Sequence, residues 1–147
     1  MRKFANQKIN ISEQLMKKQI ISLLALFSLA VVLQSAAPQE EKVMTKEGDT
    51  YIVNTTTLSK DIIGYMDATP VKVYIKKNKV EKVEFLKNKE TPKYFAKVKN
   101  ALLTKWDGQK VKDAAKMKVD GVTGATLSSN AVIKNVELAL DYYQQHK

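Results

Sequence analysis

The residues best suited to chemistry stand together in Asp120-Gly121-Val122-Thr123-Gly124-Ala125-Thr126-Leu127-Ser128-Ser129. Five of these ten are hydroxyl-bearing or acidic and two are glycine, and the run leads into helix-like spacing. An anion suits such a place. Glycine lets the backbone approach a ligand, helix-start amides point outward unpaired, and the helix dipole favours negative charge. On spacing alone two readings stand: a generic anion site, or a glycine loop before a serine-capped helix. The lysine of a nucleotide P-loop is missing, and the glycines lack the dinucleotide spacing. Thr126 has no neighbouring His or Cys to activate its hydroxyl, so covalent chemistry there needs a separate enzyme. The 147 residues include no cysteine, so redox chemistry must be borrowed from a cofactor and no disulfide framework exists. No residue reads as catalytic in its own right, and no metal-ligand set stands out. The lone histidine, His146, reads as a frayed surface residue.

The elements that must position this segment are legible around it. Tyr51 to Leu58 reads as a strand, and Val71 to Lys76 alternates apolar with polar at the two-residue period of a strand with one wet face. Lys77-Asn78 offers a tight turn because Asn tolerates the left-handed conformation. Val80 to Leu86 returns, with Val83 and Phe85 opposite Lys82 and Glu84. Thr91-Pro92 is a helix start, and Phe95, Val98, Leu102 and Trp106 follow at helical spacing until Asp107-Gly108. A second helix is expected after Ser128 or Ser129, running toward Tyr143 with Val132, Val136 and Leu140 on one side. The fold class is therefore α+β: a small antiparallel sheet with two packed helices.

Upstream, Lys17-Lys18 precede an apolar run from Ile20 to Leu33, then Ser35-Ala36-Ala37, the grammar of an export signal. The 14-residue run is shorter than the roughly 20 residues of a membrane-spanning helix. Residues 1–37 thus read as a signal peptide or N-terminal anchor, with Met1 or Met16 as the start. Residues 38–48 read as a linker and 49–147 as the folded domain. The chain is exported on this reading, to the periplasm or to the outer side of a membrane. The formal charge of +10 shrinks to +6 beyond residue 37, with 20 basic against 14 acidic side chains. These lysines alternate with apolar residues along the strands, as on the solvated face of a half-buried sheet, and no nucleic-acid partner is expected.

Asp120 to Thr126 resembles the flavinylation motif of the FMN-binding domain family, found in subunits of the sodium-pumping NADH:quinone oxidoreductase and of the Rnf complex. The motif runs acidic, small, any residue, Ser or Thr, Gly, Ala and an acceptor Thr or Ser, and every position matches. Gly64-Tyr65, Pro70 to Val73 and Lys89-Glu90-Thr91-Pro92 resemble further family segments, so the likeness spans roughly Gly64 to Tyr143. Lys93-Tyr94 departs from the pattern, where the family usually has glycine.

The resemblance implies FMN held covalently as a phosphoester of Thr126. It also implies maturation by a flavin transferase that uses FAD and magnesium, releases AMP, and reads the segment from Asp120, Gly121 and Thr123 to Thr126. Gly124 and Ala125 would leave room for the ribityl phosphate, and Ser128 and Ser129 would donate to its oxygens. Glu90 and Thr91 are the candidates for touching the isoalloxazine, with Tyr94 or Leu127 as an apolar wall. Ordinary helix capping is the other reading of Thr91. Nearby lysines would favour the reduced, anionic flavin. The function implied is an exported electron carrier between a membrane or periplasmic donor and a partner reductase. The alternatives are a small non-redox binding module and a reductase that holds FMN without a covalent bond.

Overall fold

A computed structural model describes residues 42–147. The expected signal peptide or anchor and residues 38–41 of the expected linker lie outside the described residues. Four strands, β1 (Met44–Glu47), β2 (Thr50–Asn54), β3 (Val71–Lys76) and β4 (Lys79–Phe85), form an antiparallel sheet in sequence order. Among the described residues three helices accompany the sheet: α1 (Pro92–Leu102), the single turn α2 (Val111–Ala114) and the long α3 (Thr126–His146). The α+β class read from the sequence is the fold observed.

The sheet follows its side-chain pattern. Val71, Val73 and Ile75 of β3 are fully buried, while Lys72, Tyr74 and Lys76 take the wetter face. There the Tyr74 hydroxyl donates to Glu84 at 2.7 Å, and Lys82 Nζ sits 4.2 Å from the Tyr74 ring centre. The hydrogen bond to Glu84, with burial second, pushes the Tyr74 phenol up to about 12. Lys77 and Asn78 both adopt positive φ, 49° and 59°, as a two-residue hairpin matched to the twist of its strands requires. In β4, Val80 faces Ile75 and Lys82 faces Tyr74, which leaves Glu81 as a bulge. The bulge lets Val80 and Val83, three apart, share the buried face.

Val98 of α1 and Val132, Val136, Ala139 and Leu140 of α3 join those strand residues in one core. Burying this stripe is the main force holding helices to sheet. Two polar ties run from α3 to the sheet. Thr55 donates to Asn135 Oδ1 at 2.8 Å, and Tyr143 donates to Asn78 Oδ1 at 2.8 Å.

Four boundaries differ from the sequence reading. The expected linker gives way to β1, whose register sets Met44 against Val53 and Glu47 against Thr50. An edge strand with three exposed side chains leaves no hydrophobic signal. β2 stops at Asn54, not Leu58, because Asn54 Oδ1 accepts from the Thr56 amide and hydroxyl and turns the chain. α1 ends at Leu102, and Trp106 follows in a turn where Gly108 donates to the Val80 carbonyl at 2.8 Å and Val80 to that of Gln109 at 2.9 Å. α3 begins at Thr126, ahead of the serines expected to precede it.

Trp106 is 1% exposed and is the largest of the fully buried side chains. Trp106→Ala is expected to lower the unfolding free energy by about 3–5 kcal/mol, read as a fall in the denaturant midpoint. A loss under about 1 kcal/mol would mean that this turn is not part of the cooperative core.

Candidate functional site

The segment singled out by its chemistry forms a loop that closes onto the first turn of α3. The Ala125 amide donates to the Val122 carbonyl and the Ser129 amide to that of Ala125, both at 2.9 Å. Ser129 Oγ accepts from the Val122 amide at 2.8 Å and donates to the Thr126 carbonyl at 3.0 Å. Gly124 turns the chain with φ of 79°, a conformation that a side chain would strain. Ala125 occupies the N-cap with no side-chain cap. The serine-capped helix is therefore not what the chain builds, and the amides opening α3 are left for another acceptor.

Thr126 is exposed at the first helical position. It stands on the rim of a cleft of about 450 Å³ lined by Tyr65, Glu90, Thr91, Tyr94, Gly124, Ala125, Thr126, Leu127 and Ser128. Tyr65, Tyr94 and Leu127 are all largely exposed, so the cleft has three apolar walls open to solvent. Thr91 caps no amide of α1 with its side chain, which removes ordinary capping as its purpose.

The floor is organised by Glu90, only 6% exposed. Glu90 Oε1 accepts from the Met66 amide at 2.8 Å and the Asp67 amide at 3.2 Å. Oε2 accepts from the Tyr65 amide at 3.3 Å and from the Ser128 hydroxyl. Burial pushes this carboxyl up, but the Ser128 hydroxyl and the three amides outweigh it and hold it below the ordinary range. Gly64 is required beside it, since a Cβ there would lie 2.7 Å from Glu90 Oε1. Next to this loop, Asp67 pairs with Lys89 at 2.8 Å, and chiefly that contact lowers the Asp67 carboxyl.

Of the expected site residues, Glu90, Thr91, Gly124, Ala125, Thr126, Leu127 and Ser128 meet at the cleft. Asp120, Gly121 and Thr123 are exposed on the loop outside the lining, where another protein could read them. Ser128 and Ser129 are 2% and 0% exposed, with their hydroxyls turned inward to Glu90 and to the loop. They brace the mouth of α3, and the donors free at its rim are backbone amides. Glu90 likewise holds the floor through its own four hydrogen bonds. His146 lies in the last turn of α3, stacked on Tyr142 at 3.9 Å, away from the cleft. Sequence reasoning missed Tyr65 as a wall and Lys97, whose Nζ lies 3.4 Å from where a Cβ on Gly124 would stand. Only the Gly64-Tyr65 pair, through its likeness to a family segment, signalled the former.

This is a ligand-binding α+β domain whose cleft opens at an uncapped helix mouth, within the roughly 300–1,000 Å³ of small-molecule sites. The model of the FMN-binding domain family matches residues 64–141, more than half of the chain, and the chain belongs to that family. It is thus an FMN-binding flavoprotein. No curated protein and no solved structure matches the chain. The residues present fit the cofactor. Open apolar walls suit a flat ring, the glycine turn leaves space, and unpaired amides suit a phosphate. Among the described residues, no cluster of acidic, His or Cys side chains could hold a metal ion.

Glu90→Gln keeps one acceptor oxygen for the Met66 and Asp67 amides but turns a donor toward the Tyr65 amide and removes the charge, and is expected to cost about 2–3 kcal/mol at neutral pH. The wild-type carboxyl lies below its unfolded value, so its contribution is present above the ordinary glutamate range and fades as pH falls through the lowered folded value. Stability against pH should therefore be flatter in the variant over that acidic window. Parallel curves in chemical denaturation would contradict this role.

Proposed function

We propose that the chain is an exported electron carrier whose FMN is esterified through its phosphate to Thr126. The observation that carries this reading is the exposed Thr126 side chain on the cleft rim, at a helix mouth with no side-chain cap. A hydroxyl with no base beside it does not act alone. A flavin transferase using FAD and magnesium forms the bond between Thr126 Oγ and the FMN phosphorus as the FAD pyrophosphate link breaks. AMP leaves, and the hydroxyl proton passes to the transferase. The exposed Asp120, Gly121 and Thr123 are the part of the loop free for that enzyme to recognise.

Bound FMN supplies the ability to take up and release electrons. The chain's own residues hold the phosphate at α3, flank the ring with Tyr65, Tyr94 and Leu127, and leave its edge accessible to a redox partner. A covalent tie suits an exported carrier, since a dissociating cofactor would be lost outside the cytoplasm. The partners are a membrane or periplasmic electron donor and an acceptor reductase, met on the outer side of the cytoplasmic membrane. Among the described residues no helix is long and apolar enough to cross a membrane.

The full chain co-expressed with a flavin transferase is expected to keep fluorescence after denaturation and to gain the mass of FMN less one water. Thr126→Val should abolish both, and Thr126→Ser should retain them. An unmodified wild-type chain beside an active transferase, or an adduct surviving in Thr126→Val, would overturn the attachment.

A further inference from the structure

Lys97 stands on the exposed face of α1, one turn after Tyr94. Its ammonium lies 5.8 Å from the Tyr94 ring centre and 3.4 Å from the point a Gly124 Cβ would occupy. It therefore lies beside two of the residues that line the cleft, Tyr94 and Gly124, the latter two positions before Thr126, at the space that the left-handed Gly124 leaves open. Lys97 forms no ion pair among the described residues, whereas Lys89 is tied to Asp67.

We propose that Lys97 is the cation that offsets the phosphodiester on Thr126 and raises the reduction potential of the flavin held there. The proposal rests on the attachment argued above. A free phosphate monoester carries a charge of about −1.5 to −2 at neutral pH. Esterification to Thr126 leaves a diester with a single negative charge, which one ammonium matches. The open amides of α3 cannot neutralise it alone, because the dipole supplies roughly half a charge at a helix N-terminus. An ammonium at this place also opposes the negative charge that accumulates when the ring is reduced. It is a positioning and tuning residue, not a proton donor.

The test uses the full chain with transferase in four forms: wild type, Lys97→Gln, Lys97→Arg and Lys112→Gln. Lys112 lines a separate hollow with Lys147 at the opposite end of α3, so its loss controls for net charge alone. The readouts are the adduct fraction by mass, the phosphorus NMR resonance of the diester and the reduction potential of the bound flavin. Lys97→Gln is expected to shift the potential to more negative values and to move the resonance, or to lower the adduct fraction severalfold. Lys97→Arg and Lys112→Gln should stay close to wild type. Wild-type values of all three readouts in Lys97→Gln would overturn the proposal while leaving the attachment intact. Equal damage in Lys97→Gln and Lys97→Arg would overturn it too, since shape and not charge would then matter. An unmodified wild-type chain would remove both readings together.

Discussion

A carboxylate taken out of water must find enough donors or be expelled, and Glu90 is held by four. Three are successive backbone amides of the 65–67 loop, and the fourth is a hydroxyl in the first turn of α3. One side chain thereby joins the segment before β3, the start of α1 and the mouth of α3. The cleft exists because these three are brought together, since Tyr65, Thr91 and Thr126 belong respectively to them. Gly64 belongs to the same constraint, because a methyl group there would collide with the carboxylate.

The mouth of α3 is assembled at some cost to the helix. Alanine at the N-cap forgoes a contribution of about 0.5–2 kcal/mol that Ser, Thr, Asp or Asn would make. The serines two and three residues into α3 do not recover it, because both hydroxyls are committed to bracing Glu90 and the loop. A helix of 21 residues packed on β2 and β3 tolerates this deficit, since burial along its length dominates its stability. What results is a set of rigidly held amides without acceptors, arranged before any ligand arrives. Pre-organisation of this kind lowers the ordering cost of binding.

The sequence made the sheet hairpin, both principal helices and the family legible, because each rests on local rules. Alternation in β3, an Asn in the turn and Pro after Thr91 all act within a few residues. The missed features depend on partners distant in the chain. β1 is a strand only because β2 offers its edge, and α1 stops early because Gly108 and Gln109 bond to Val80. At the site, the motif marked Thr126 and its loop, and the Glu-Thr pair marked the floor. It could not distribute the hydroxyls. Whether Ser128 faces a phosphate or a buried Glu is decided 38 residues away, and Lys97 reaches the loop only through the packing of α1 against α3.

The rotational setting of α3 finally decides why Thr126 faces outward. Three buried polar groups tie the helix to the rest of the domain: Ser128 to Glu90, Asn135 to Thr55, and Tyr143 to Asn78. Spaced seven and eight residues apart, they fall within roughly 80° of one another round the axis and mark one side of the helix. Apolar packing alone would accept small rotations or a slide along the sheet. Three hydrogen bonds spread over about 20 Å of helix, at 1.5 Å per residue, do not. With Ser128 and Ser129 fixed inward, Thr126 and Leu127 lie roughly 200° and 100° round the axis from Ser128 and must emerge. The polar ties along α3 thus set Thr126 at the rim of the cleft, beside the uncapped amides that open the same helix.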